Sequence, residues 1–84
     1  MQIRLSEICP GDTVIDTHTQ ITKVLVATID PNPVYPDKVL AIFKTRTKKV
    51  LLETLEADAE VGLLFDFADV AASRAHGLHW ALTS

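Results

Sequence analysis

The stretch KVLAIFKTRTKKVLLETLE, residues 38–56, decides the fold. It contains two runs, KVLAIFKT and KKVLLETL, in which hydrophobicity alternates with a period of two. That period is typical of β-strands, because successive side chains of a strand point to opposite faces. The polar residues between the runs, 45–48, fit the tip of a tight turn. The sequence therefore predicts an antiparallel β-hairpin here.

The residues before the hairpin predict further short strands. Residues 1–8 alternate until Pro10 and Gly11 break the pattern, and a new strand begins at Thr13. The run 21–30, ITKVLVATID, is rich in β-branched residues and apolar on both sides, which predicts a central strand. The following segment 30–38 carries prolines at 31, 33 and 36. Proline lacks the N–H that a ladder needs, so this segment is predicted to be a stiff, extended loop without a strand.

After the hairpin, a last strand is predicted at residues 61–65. The alanine-rich tail DFADVAASRAHG then predicts a helix over 67–76, with Gly77 as its C-cap. Residues 78–84 fit either a continued helix or an edge strand. The fold class is mainly β: a small SH3-like antiparallel barrel of five to six strands with a short C-terminal helix. Residues 1–65 are predicted to form the barrel and residues 66–84 a helical tail packed on it, in a single domain.

Composition limits the classes of function. The chain has 84 residues, of which 48% are hydrophobic, a high share for so small a domain. Some of this apolar surface is expected to meet a protein partner or a second copy of the chain. A single cysteine fits a reducing compartment, and the charges of Arg4 and Glu7 argue against a signal peptide in residues 1–12. No apolar run of this sequence is long enough to span a membrane. We therefore expect a soluble, intracellular protein without membrane contact.

The hairpin tip is the most basic segment of the chain. Two interpretations remain open: its cations bind nucleic acid or an acidic partner, or they decorate a solvated turn that protects the sheet edge. The net charge of −3 and the lack of an interleaved aromatic residue argue against a dedicated nucleic-acid binder. The candidate contact residues are Lys44, Arg46, Lys48 and Lys49.

Signals for catalysis or for metal binding are weak. Cys9 lies near His18 and two aspartates, Asp12 and Asp16, which supplies the residue types of a nucleophile, a base and an orienting carboxylate. A structural cysteine explains the same residue, since catalytic partners normally converge from distant segments. His76 and His79 are three residues apart, a spacing that two metal ligands on a helix can have. Ordinary surface histidines explain them equally, so we expect no enzyme, no metal and no cofactor.

Candidate anchors for a protein partner lie outside the hairpin. Val34 and Tyr35 form an apolar bump between prolines, and Trp80 is a large side chain near the C-terminus. Aromatic residues of this kind are favoured at protein interfaces. The alternative is that Trp80 closes the bottom of the barrel and Tyr35 covers one edge.

Three segments, LSEICPGDTV, KVLVATID and VLLETLEADAEVGLLFD, together resemble the small SH3-like barrel proteins common in actinobacterial phage genomes. The resemblance covers residues 5–65 and rests on a Leu-x-x-Ile before a Gly-Asp-x-Val strand. It implies an accessory binding role and assigns no site residue. The resulting hypothesis is a non-enzymatic protein-interaction module that binds a host factor or a virion component. The resemblance implies that the protein is located in the cytoplasm of the host cell or in the virion. The alternative is a nucleic-acid-binding barrel that uses the basic hairpin tip.

Overall fold

The computed structural model describes residues 2–16, 19–64 and 70–83. Within these residues the chain forms seven β-strands, one 3-10 turn at Leu5–Glu7 and one α-helix, α1, at Val70–Leu82. The strands are β1 Gln2–Arg4, β2 Thr13–Ile15, β3 Thr22–Leu25, β4 Asp30–Pro31, β5 Lys38–Thr45, β6 Val50–Glu56 and β7 Glu60–Leu64.

All seven strands belong to one antiparallel sheet in the order β1-β7-β2-β3-β5-β4, with β6 paired to β5. The predicted hairpin is confirmed as β5 and β6, in a register that places Ile42 opposite Leu52. β5 is long enough to pair with three strands, since β3 and β4 share one of its edges and β6 takes the other. The mainly β, antiparallel architecture is thereby confirmed.

The hydrophobic core lies on one face of this sheet. Phe43, Leu25 and Val14 come from three adjacent strands and are fully buried there. Burying a side chain of this size contributes roughly 1.5–3 kcal/mol to folding. The core also includes Leu5, Ile8, Ala41 and Leu63.

Helix α1 packs on the opposite face, above β3, where its Gly77 lies next to Val24. The expected C-cap at Gly77 is wrong, because the helix continues through this residue to Leu82. Gly77 instead touches the backbone of Gly11, and any Cβ at position 77 would overlap the carbonyl oxygen of Gly11. Gly77 therefore allows close packing of the helix and does not mark its end. Residues 67–69, the expected helix start, lie outside the described residues.

The prediction that prolines exclude a strand from residues 30–38 is also wrong for the first two of these residues, which form β4. Pro31 belongs to β4 and lies opposite Val39. Two backbone hydrogen bonds show which residues on this edge of β5 form hydrogen-bonded pairs. The N–H of Val26 donates to the carbonyl oxygen of Ile42, and the N–H of Asn32 donates to the carbonyl oxygen of Lys38, each at 3.0 Å. By the two-residue period, Pro31 occupies a non-hydrogen-bonded position, where no N–H is required.

No helix of the described part is long and apolar enough to cross a membrane.

Candidate functional site

The basic hairpin tip folds back onto the C-terminus of α1. Lys44 Nζ donates a hydrogen bond to the carbonyl oxygen of Ala81, and Lys48 Nζ donates one to the carbonyl oxygen of Thr83, each at 2.9 Å. The carbonyls of the last helical turn have no partner within the helix, and they carry partial negative charge. The two lysines therefore stabilise the helix end.

Lys48 also joins the tip to Trp80. Its ammonium donates a hydrogen bond to the Trp80 carbonyl oxygen and lies 4.0 Å from the centroid of the indole ring. The backbone of Lys48 has a φ of +66°, which the turn imposes on a residue type that seldom adopts it. Three of the predicted site residues, Lys44, Lys48 and Trp80, are thus brought together, in a contact within the chain.

Arg46 and Lys49 remain exposed at the tip. Arg46 lines a groove of about 480 Å³ between the sheet and α1, together with Trp80 and His76. It also borders a second, open depression that Lys49 and Ile21 line. Nucleic-acid binding through the tip stays a prediction, now with two of its four cations engaged by the helix.

The proline-rich segment presents Val34 and Tyr35 to solvent. Val34 is 72% exposed and Tyr35 is 54% exposed. The loop closes on itself where Lys38 N–H donates to the Tyr35 carbonyl oxygen at 2.9 Å. At its base, Lys38 Nζ and Glu56 form an ion pair of 2.5 Å, and this hydrogen bond raises the pKa of Lys38. The bump expected from the sequence is therefore present and closed at its base.

Asn32 holds this bump in place, and sequence reasoning missed it. Its Oδ1 accepts the N–H of Val34 at 2.8 Å and the N–H of Tyr35 at 3.1 Å. Its Nδ2 donates to Thr54 Oγ1 at 2.9 Å, and the side chain is buried against the sheet. An asparagine directly before proline is a turn signal, because the Asn side chain can bond to the backbone two residues on. That dipeptide, Asn32 before Pro33, was available in the sequence.

The thiol hypothesis gains no support from Asp12. The carboxylate of Asp12 is buried, accepts the backbone N–H of Cys9 at 2.8 Å, and forms an ion pair with Arg74 Nε at 2.8 Å. The hydrogen bond to Asp12 raises the pKa of Arg74. Asp12 thus joins the CPGD turn, residues 9–12, to α1. His18 lies outside the described residues. Among residues 2–16, 19–64 and 70–83, no group of three His, Cys, Asp or Glu side chains is placed to hold a metal ion.

Comparisons with protein-family models, with curated proteins and with solved structures gave no match for this chain. The resemblance to small phage barrels therefore stays a prediction. Residues 32–38 form the Val34–Tyr35 loop, the segment that presents both exposed side chains.

Proposed function

We propose that this chain is a non-enzymatic protein-interaction module whose Val34–Tyr35 loop inserts into an apolar cleft of a partner protein. In finer detail, we propose that the sheet belongs to the small SH3-like barrels. The loop combines a β-branched and an aromatic side chain, both exposed. Aromatic anchors of this kind supply much of the binding energy of protein interfaces.

One observation supports the proposal above the others: the exposed pair is preorganised. The single oxygen Oδ1 of Asn32 accepts both loop N–H groups, and Asn32 is itself anchored on Thr54. Pro33 and Pro36 flank the pair and restrict its backbone further. Ordering a loop on binding costs free energy, and a loop that is already ordered avoids that cost.

The choice of partner class comes from the resemblance to proteins of actinobacterial phages. It makes a host factor or a virion component the first candidate to test. Trp80 is a weaker anchor than the sequence suggested, because its ring is half-buried and covered by the Lys48 ammonium. We therefore assign the principal contact to Val34 and Tyr35 and a peripheral one to Trp80.

The experiment is site-specific photo-cross-linking. A photoreactive phenylalanine replaces Val34 in one chain and Asp58, an exposed turn residue, in a matched control. Each chain is irradiated in an actinobacterial host lysate and with purified virions. We expect a discrete adduct from position 34 and not from position 58.

Competition then tests whether the loop itself makes the contact. Excess unlabelled chain should suppress the adduct, whereas a Tyr35→Ser chain with an unchanged circular dichroism spectrum should suppress it at least about tenfold less well, a loss of about 1.4 kcal/mol. Equal adducts from positions 34 and 58, no adduct at all, or full competition by Tyr35→Ser would each overturn the proposal.

A further inference from the structure

The outer edge of β6 carries backbone groups that pair with no described strand. In the hairpin, the N–H of Thr45 donates to the carbonyl oxygen of Lys49 at 3.0 Å, so these two residues form a hydrogen-bonded pair. Hydrogen-bonded pairs recur at every second residue of an antiparallel ladder, which places Leu51 and Glu53 in bonded pairs with β5. The N–H and C=O groups of Val50, Leu52 and Thr54 therefore point away from β5, and β5 is the only described strand that pairs with β6.

The exposed side chains in the first half of this edge are apolar. Val50 is 57% exposed and Leu52 is 66% exposed. Edge strands of monomers are usually protected by charges, prolines or bulges, because a bare edge pairs with other strands. Residues 50–52 are Val-Leu-Leu and carry none of these devices. An apolar edge with free backbone groups is suited to accept another strand.

The charges along the strand indicate which strand it accepts. The exposed basic residues Arg46 and Lys49 precede β6, and the exposed acidic residue Asp58 lies in the turn that follows it. Lys48, Glu53 and Glu56 lie near the same two ends but already have partners within the chain. In an antiparallel pair of two such strands, the basic end of each chain meets the acidic end of the other. A parallel pair would place like charges together, at a cost in electrostatic energy.

We propose that β6 pairs antiparallel with β6 of a second copy of this chain, which extends the sheet across a two-fold axis. The register places Leu52 opposite Leu52 of the second copy and Val50 opposite Thr54. Both positions have outward backbone groups, so the two chains can exchange hydrogen bonds there. A register centred one residue later would place Glu53 opposite Glu53, which like charges disfavour.

The dimer has a consequence for binding. Each copy carries its own Val34–Tyr35 loop, so the pair presents two loops to a partner. A partner with repeated sites, such as an oligomeric assembly, would then be bound with higher avidity than a single loop provides.

Sedimentation of the full chain tests the pairing. We expect a dimer for the natural chain, an at least about tenfold weaker dimer for Leu52→Lys, and an unchanged dimer for Leu82→Lys. Leu82 is the matched control, because this leucine is as exposed as Leu52 but lies on α1. Leu52→Pro provides a second variant: it removes an outward N–H that β5 does not use, so the fold should survive while association is lost. A monomeric natural chain, or a folded Leu52→Pro or Leu52→Lys chain that dimerises as well as the natural one, would overturn the proposal.

Disulfide trapping tests the register. In a Cys9→Ser background, Leu52→Cys should form a cross-linked dimer under mild oxidation, because residues directly opposite in a bonded pair have Cα atoms about 5.5 Å apart. Val50→Cys should not, since the two copies of residue 50 would lie roughly 13 Å apart. Cross-linking at position 50 in preference to 52 would contradict this antiparallel register.

Discussion

Gly77 in the middle of α1 lies against the backbone of Gly11 in the CPGD turn. A Cβ built on either residue would lie closer than 3.0 Å to backbone atoms of the other segment. Gly11 has a φ of +98°, and its N–H donates to the carbonyl oxygen of Leu25 at 2.7 Å. The turn is therefore fixed to the sheet, and the two glycines set how closely the helix approaches it.

We expect Gly77→Ala to destabilise the protein, although alanine is the better helix former. The propensity gain is about 1 kcal/mol. This gain is opposed by the added methyl group, which would overlap the backbone of Gly11, and that overlap cannot be relieved without displacing the helix. Overpacking of this kind costs about 1–3 kcal/mol or more. Urea denaturation followed by circular dichroism measures the net effect. Ala72→Gly, at an exposed helical position, calibrates propensity alone, and a Gly77→Ala chain more stable than the natural one would contradict the close contact.

Lys48→Ala should lower the free energy of unfolding by about 1–2 kcal/mol. The change removes a cation from the helix C-terminus and a cation–π contact with Trp80. Lys48→Gly loses the same contacts but adopts the positive φ without strain, so it should be more stable than Lys48→Ala by about 1 kcal/mol. Urea denaturation gives both values, and amide hydrogen exchange near residue 83 reports the helix end.

Lys49→Ala is the control for Lys48, since Lys49 is an exposed cation one residue further along. Its effect should stay within about 0.5 kcal/mol. If Lys48→Ala and Lys49→Ala had equal effects, the tip would be a solvated turn and not a cap on the helix.

The parts of the fold that depend on local pattern were predictable. The β5–β6 hairpin follows from period-two hydrophobicity on both sides of a polar tip, and its pairing was found as expected. Glycine and proline usually interrupt helices and strands. Gly77 and Pro31 were misinterpreted because contacts with other segments of the chain decide their roles here. Gly77 contacts Gly11, which lies 66 positions earlier in the chain. Pro31 occupies a position of the β-ladder that needs no N–H donor.

The candidate site shows the same division. The exposure of Val34 and Tyr35 follows from their flanking prolines, which the sequence displays. The engagement of Lys44 and Lys48 by the helix end was not predictable, because it joins residues more than 30 positions apart and requires the course of α1. Charge composition alone does not distinguish a lysine that caps a helix from one that is available to bind a phosphate group.

Lys23 and Glu53 form an ion pair of 2.5 Å whose two members are unequally buried, and their removal should therefore have unequal costs. The Lys23 side chain is 8% exposed and lies over the Phe43 ring, whereas that of Glu53 is 28% exposed. Glu53→Gln leaves a buried ammonium without its counter-charge, and we expect a loss of about 2–4 kcal/mol. Lys23→Met leaves a carboxylate that water can reach, and its cost should be under about 1 kcal/mol. Urea denaturation measures both variants, and the reverse order would show that the pair is solvated.

Asn32→Ala should release the Val34–Tyr35 loop without unfolding the sheet. It removes both hydrogen bonds that hold the loop amides, and we expect their NMR order parameters to fall from about 0.85 to below about 0.6. Thr54→Val is the matched control, because it removes the bond to Nδ2 of Asn32 but leaves Oδ1 free to accept the N–H groups of Val34 and Tyr35. In that variant the loop should stay ordered. Unchanged order parameters in Asn32→Ala would show that the prolines alone fix the loop, and preorganisation by Asn32 would then be rejected.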